Sequence, residues 1–370
     1  MAGLYVHIPF CKSRCVYCGF YSTALFSMSR RYVDALIQEL RRRVSDYDGA
    51  WRTVYLGGGT PSTLAADELG RLFSAIDCSS AREVTIECNP DDVTADFVRQ
   101  LSALPVNRVS MGAQTFDDDR LRFLRRRHKA ADVAQAVARL RDAGIANISV
   151  DLMYGFPGET LADWNHDIDE ALALDVEHIS AYCLTYEEST PLYDMLLRGE
   201  VSEASEELTR EMYYGLIARL SALGYEHYEV SNFSRRGGRS LHNSGYWTGE
   251  PYLGIGAAAH SYDGTRRLWN ISDLPIYINK VERGECAYES ESLTERELYN
   301  DMVMLALRTS EGIDLKKLGE RFGSDAVDYC LKSARRYVDS SLLEHDANTL
   351  RLAHDGWYVS DMIISDLMKV

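Results

Sequence analysis

Residues 4–20 read LYVHIPFCKSRCVYCGF. The first five form a short β-rich run closed by Pro9. Directly after it, Cys11, Cys15 and Cys18 stand in the spacing C-x3-C-x2-C. Thiolates are the soft ligands that iron–sulfur clusters prefer, and so short a spacing lets one loop wrap one cluster. Three thiolates leave one iron of a four-iron cluster without a protein ligand. An open coordination position marks a reactive metal site rather than a structural one. A small molecule with a chelating amino-carboxylate could fill it. A zinc site completed by His7 is the competing reading, although structural zinc motifs usually add a second, distant cysteine pair.

Working outward, the run LYVHI (4–8) is the first of six. TVYL (53–56), EVTIEC (83–88), RVSMG (108–112), ISVDLMY (148–154) and HISAYCL (178–184) follow. Helical periodicity fills the gaps: a helix starting at an N-cap Ser29, another from Thr94, one closing at Gly144 and one from Thr160. Repeated strand–helix units predict a parallel sheet, open or closed into a barrel. GGGTP (57–61) follows the second strand, Glu87 ends the third and Gln114 follows the fourth. Asp151 and Tyr182 come late in the fifth and sixth. Polar groups at successive carboxyl ends would converge on one rim, where barrels of this type place their chemistry.

The composition sets bounds. Of 370 residues, 26% are charged and 46% hydrophobic, as in ordinary globular chains. A net charge of −16 disfavours non-specific nucleic-acid binding. The Arg41–Arg43 run reads as a solvated helix face. Cys78, Cys88, Cys183, Cys286 and Cys330 are scattered and read as small buried apolar residues. No apolar run approaches the ~20 residues of a membrane helix. The N-terminus lacks the basic and apolar regions of a signal peptide, so the expected compartment is the cytoplasm.

The texture changes near residue 232. A Gly-, Ser- and aromatic-rich segment of little periodicity runs to about 290, and helices return from about 293. The strand-like pieces TLRLAH and GWYVS precede a last helix. The expected organisation is a core over 1–232, a connecting segment over 233–290 and a mainly helical, winged-helix-like domain over 291–370. No net basic surplus accompanies that last domain, which favours a structural or partner-binding role over DNA binding.

On these motifs the chain resembles radical SAM (S-adenosylmethionine) proteins, whose cysteine loop holds a [4Fe-4S] cluster. The implied fold is a partial (β/α)6 barrel of the α/β class. YVHIPFC, YLGGGTPS, ECNP, SMGAQTF, LRRRH and DLMYGFPGET extend the likeness to the oxygen-independent coproporphyrinogen oxidase-like subfamily. That resemblance implies cluster ligation by Cys11, Cys15 and Cys18. It implies SAM contacts from Tyr5 near the cluster, from Gly58, Gly59 and Thr60 at the methionine amino group, and from Glu87. Gln114, Arg126 and Asp151 would complete the pocket, and Tyr17 would join the cofactor-binding residues.

Within the subfamily two features depart from the decarboxylating enzyme. Phe20 stands where the enzyme has a fourth cysteine, and only ten residues precede Cys11, leaving no room for the enzyme's long N-terminal extension. LHNSGYW contains His242, Asn243, Tyr246 and Trp247 in the pattern H-N-x-x-Y-W, which is similar to the motif of HemW-type heme chaperones. The resemblance implies heme as a further ligand with His242 as its iron ligand; His260 is the rival. It implies delivery of heme to acceptor hemoproteins such as respiratory cytochromes, with peripheral membrane association and no nucleic-acid partner. The alternative is an enzyme that oxidatively decarboxylates coproporphyrinogen III.

Overall fold

The computed structural model describes residues 1–47 and 49–370. Six consecutive strands, β1 (Ala2–Ile8), β2 (Trp51–Gly58), β3 (Glu83–Cys88), β4 (Arg108–Gln114), β5 (Asn147–Tyr154) and β6 (His178–Cys183), lie side by side in chain order, all parallel. Each is within a few residues of its predicted run. A sheet wound in one direction carries all its crossover helices on one face and curls around the other. The helices Ser29–Arg43, Ala66–Ala75, Ala95–Leu101, Ala130–Asp142 and Leu161–Ala173 make these crossovers. Their apolar sides, including Leu36, Leu72, Phe97, Leu140 and Trp164, bury the outward residues Val84, Ile86, Val109, Ile148 and Ile179.

The barrel does not close. β6 pairs antiparallel with β8 (Asn232–Ser234), which pairs with β7 (Glu226–Glu229). β1 pairs on its other side with β9 (Tyr252–Ile255). The sheet then runs on through β10 (His260–Tyr262), β11 (Arg266–Asn270) and β12 (Tyr288–Ser292). The segment expected to lack periodicity therefore extends the same sheet. Its strands have three to five residues, too few for alternation to register in the sequence.

The C-terminal part has the expected helix-and-hairpin character. Helices Glu295–Leu307, Leu315–Phe322 and Ser324–Asp339 surround a small sheet of β13 (Ile313–Asp314), β14 (Leu343–His345) and β15 (Thr349–Leu352), before the helix Ser360–Leu367. It attaches to the barrel edge by backbone bonds, Val230 N to Arg308 O at 3.1 Å and Ser310 N to Tyr228 O at 3.0 Å.

Several local expectations are corrected. GWYVS is not a strand: Gly356 sits against the Leu342 carbonyl and Trp357 packs on His227, so the piece turns through a 3-10 segment into the last helix. Ser29 is inside its helix rather than capping it, because a 3-10 turn (Phe26–Met28) precedes it, and its hydroxyl donates to Glu68 at 2.6 Å. The Arg41–Arg43 run is not wholly solvated. Arg43 is buried, donating to Glu39 (2.8 Å), the Gly254 carbonyl and Ser261. Among the scattered cysteines, Cys88 and Cys330 are buried as expected, but Cys183 and Cys286 are exposed.

Candidate functional site

Alternation along each strand sends Val, Ile and Met outward to the helices and polar residues inward. The interior therefore carries Tyr5 and His7 from β1, Tyr55 from β2, Thr85 and Glu87 from β3, Arg108 and Ser110 from β4, Ser149 and Asp151 from β5, and Ser180 and Tyr182 from β6. Tyr182 is 43% exposed, yet its phenol is pushed upward by desolvation.

The cysteine loop closes over the carboxyl end of this barrel. Thr23 N donates to Pro9 O (2.7 Å) and Cys11 N to Thr23 O (3.0 Å), which ties the loop back on itself. Val16 N reaches Leu124 O (3.4 Å), and Leu192 N donates to Val16 O (2.9 Å). Val16 also joins Leu124, Met153, Phe156, Leu184 and Leu192 in a second apolar cluster. The loop is thus held by the segments that follow β4, β5 and β6.

All three thiols are half-buried and free. Burial pushes the Cys11 and Cys18 thiols up, and the neighbouring cysteine charges add to it. Three thiolates crowded together in a desolvated loop favour a multiply charged metal group that compensates them. The donor set fits a three-thiolate iron–sulfur cluster. His7 does not serve a zinc site: its Nδ1 lies 3.1 Å from the Tyr5 hydroxyl and its Nε2 3.1 Å from the Tyr21 carbonyl, so both ring nitrogens are engaged.

Polar groups reach the sulfurs from two sides. Thr60 Oγ1 is 3.6 Å from Cys11 Sγ, and Arg126 Nη1 is 3.6 Å from Cys15 Sγ. Asn89 joins the two, its Nδ2 3.5 Å from Thr60 Oγ1 and its Oδ1 accepting from Arg126 at 2.8 Å. Arg126 also donates to the Gly112 carbonyl at 2.6 Å, while its buried Nε finds no acceptor among the described residues. A carboxylate brought beside the cluster would supply that acceptor. Tyr17 is beside the Cys15 and Cys18 sulfurs and Arg126, and burial raises its phenol.

The glycines of GGGTP serve the protein first. A Cβ on Gly59 would meet the Pro9 carbonyl carbon at 2.7 Å, and Gly59 N donates to Ile8 O at 2.8 Å. This close approach draws the loop onto the end of β1. Gly58 has φ 109°, a conformation that favours glycine, and its N–H donates to Glu87 Oε2 at 3.0 Å. Glu87 Oε1 accepts from the Tyr55 hydroxyl at 2.8 Å. Gln114 has φ 70° at a register irregularity in β4, and its amide folds back over Gly112 beside Arg126. Asp151 is 3.3–3.4 Å from the Ser110 hydroxyl, and burial raises its carboxyl.

Burial likewise pushes Glu87 up to about 7, with the Asp151 charge adding to it and the Tyr55 and Gly58 hydrogen bonds opposing it. A cationic ligand such as a sulfonium amino acid favours the ionised form. SAM binding is expected to tighten as pH rises through neutrality, and Glu87→Gln is expected to weaken it about tenfold and flatten that dependence. Equilibrium dialysis at several pH values measures both. The stability sign is opposite. A carboxyl raised from 4.5 to about 7 contributes stability below the unfolded value that is lost as pH climbs through 7.

Among the residues that carry the resemblance, His242 is placed differently. It lies at the amino end of the barrel, beside Gly3 and Thr53, about 16 Å from the cysteine end by five residues of strand rise. Its Nδ1 is 2.8 Å from Thr53 Oγ1 and its Nε2 2.8 Å from the Tyr246 hydroxyl. The ring stacks on Tyr55 with centroids 5.0 Å apart and is 3% exposed. Burial lowers its pKa to about 3. In this arrangement it is a plug of the barrel floor with no free nitrogen for iron. His260, the rival, is exposed on β10.

Sequence reasoning missed Asn89 and Asp92, although both lie in or beside the quoted ECNP. Asp92 accepts from Lys12 (2.9 Å), Ser62 (3.1 Å) and Arg127 (3.0 and 3.1 Å). One buried carboxylate thus fixes the cysteine loop, the glycine loop and the LRRRH loop. The signal was their place just past the end of β3, the rim position already noted for Glu87.

Residues 5–171 match the radical SAM superfamily, and residues 293–359 match the HemN C-terminal domain. The solved Escherichia coli coproporphyrinogen III oxidase, HemN, superposes over 100% of this chain and 90% of its own with a TM-score of 0.86 at 22% identity, a likeness of fold. The heme chaperone HemW of Lactococcus lactis is 32% identical over 98% of this chain and 96% of its own. A mitochondrial radical S-adenosyl methionine domain-containing protein 1 from Danio rerio is 32% identical over 99% of this chain and 87% of its own. The heme chaperone HemW of Bacillus subtilis is 35% identical over 96% of both chains. With that likeness carried from the cysteine loop to the C-terminal helices, the chain belongs to the HemW family of radical SAM proteins.

Proposed function

We propose that the protein is a heme chaperone, which binds heme and hands it to acceptor hemoproteins. The observation that carries this reading is the 35% identity to a heme chaperone over 96% of both chains. Cys11, Cys15 and Cys18 would hold a [4Fe-4S] cluster, which would supply an open iron position and an electron for SAM chemistry. The chain's own contribution is position and electrostatics. Arg126 offers an unpaired donor beside Cys15, Glu87 presents a carboxylate in the cavity, and Gly58 and Gly59 keep the loop close to β1.

Respiratory cytochromes are the proposed acceptors, reached in the cytoplasm or at a membrane surface by peripheral contact. No helix among the described residues is long and apolar enough to cross a membrane. The competing enzymatic reading, decarboxylation of coproporphyrinogen III, is disfavoured by Phe20 at the position of that enzyme's fourth cysteine.

Anaerobically reconstituted protein is expected to acquire a heme absorption band on titration with hemin and to lose it to an apo-cytochrome. With coproporphyrinogen III, SAM and reductant it is expected to leave the substrate unchanged. Appearance of protoporphyrinogen IX would overturn the chaperone reading, and so would hemin that never transfers.

A further inference from the structure

We infer that Arg108 anchors a carboxylate-binding subsite in the lower half of the barrel interior, for an organic acid held below the cluster end. This subsite is argued independently of heme.

The first observation is a buried charge with nothing to bind. Arg108 opens β4 and is 1% exposed. It shares the inward phase of Ser110, while Val109 between them packs in the apolar layer under the helices. Its Nε and Nη1 are buried and meet no acceptor among the described residues. The groups that feel its charge are all committed elsewhere. Glu87 accepts from Tyr55 and from Gly58 N, and Asp151 accepts from the Ser110 hydroxyl. His178 is held between Ser149 and Tyr228, both at 2.7 Å, and His242 between Thr53 and Tyr246. Burial raises both carboxyls and lowers both imidazoles; the Arg108 charge opposes the first shift and adds to the second. Burying a guanidinium without hydrogen bonds is costly, and a chain that keeps one leaves its donors for a ligand.

The second observation is register. Thr85 stands opposite Arg108 on β3, and its hydroxyl is fully buried and also without a partner. Tyr55 stands opposite Thr85, and Tyr5 opposite Tyr55. The two phenol rings stack with centroids 6.1 Å apart. One rung of the barrel thus presents two aromatic rings, a hydroxyl and a guanidinium in succession. That order fits the apolar body and the carboxylate of an organic acid. A phosphate dianion fits less well, because Glu87 and Asp151 share the same interior. Arg108 precedes Gly112, whose carbonyl receives Arg126, by about 13 Å of strand rise. The two arginines are too far apart to clamp one small carboxylate, so each serves its own.

The test is equilibrium dialysis of radiolabelled 3-phenylpropionate against cluster-loaded protein saturated with SAM, which keeps Arg126 occupied. The comparison is 3-phenylpropionamide, similar in shape but uncharged. The unaltered chain is expected to bind the acid at least tenfold more tightly than the amide. Arg108→Met and Arg108→Gln are expected to bring that ratio near one, Arg108→Lys to keep about a third of it, and Thr85→Val to weaken the acid about threefold. Arg198→Gln, at an exposed arginine elsewhere, is expected to leave it unchanged. Iron content and SAM binding verify that each variant is folded and loaded. Acid and amide bound alike by the unaltered chain, a measurement that needs no variant, would show that Arg108 holds only water and overturn the proposal. A ratio preserved in Arg108→Met overturns it too, and so does sodium chloride that competes as well as sodium propionate, which marks a site for small ions. Hemin that displaces the acid where its dimethyl ester does not identifies the carboxylate as a porphyrin side chain. Hemin that leaves the acid in place identifies a free organic acid, and either result upholds the subsite.

Discussion

Replacing Cys11, Cys15 and Cys18 together by alanine is expected to abolish the broad visible absorption of an iron–sulfur cluster and its EPR signal after reduction. The expected iron content falls from about four per chain to none, since the three thiols that would hold the cluster are all on this loop. The thiols are half-buried and held by Thr60, Arg126 and the Phe20 N–H. The triple variant loses those sulfur contacts but keeps the backbone bonds of the loop, Thr23 N to Pro9 O, Cys11 N to Thr23 O and Leu192 N to Val16 O, so the barrel is expected to fold and the far-ultraviolet circular dichroism to stay unchanged. SAM binding is expected to fall by two orders of magnitude or more, because the open iron that chelates the amino acid is gone. Iron retained at wild-type level in the triple variant would remove the foundation of the functional reading.

His242→Ala carries the second large effect, and its sign separates two roles. As a floor plug, the imidazole satisfies the Thr53 and Tyr246 hydroxyls and stacks on Tyr55. Its removal leaves two buried hydroxyls without partners and opens a cavity, a cost of about 2–4 kcal/mol. The thermal midpoint is expected to drop clearly, while hemin affinity per folded molecule stays within about twofold of the unaltered chain. A loss of hemin affinity with unchanged thermal stability would show instead that the imidazole leaves this pocket to bind iron. His242→Gln, which can keep one of the two hydrogen bonds, is expected to recover part of the stability.

Much of the barrel was legible in the sequence because its strands are buried on the helix side and bounded by glycine, proline or polar residues. Glu87, Gln114 and Asp151 announced the rim because a polar residue ending an apolar run has few structural reasons to be there. What the sequence hid was direction and distance. The H-N-x-x-Y-W pattern identified relatives, but no spacing rule could say that Ser240 would cap a short helix whose first N–H groups bond Glu83 at the barrel floor. Asp92 was hidden for a different reason. Its three partners come from positions 12, 62 and 127, and one carboxylate serving three loops leaves no periodic trace. Arg43 misled through composition, since its run looks solvated while a buried Glu39 accepts its charge.

Among the described residues β1 and β6 share no ladder, and this bears on cargo. A cylinder stitched all the way round has a girth fixed by its strand number and stagger, and a rigid flat guest wider than that lumen stays out. Here β1 gives its outer edge to β9 and β6 gives its own to β8. An open sheet sets no such girth, so lumen width alone does not exclude a flat guest.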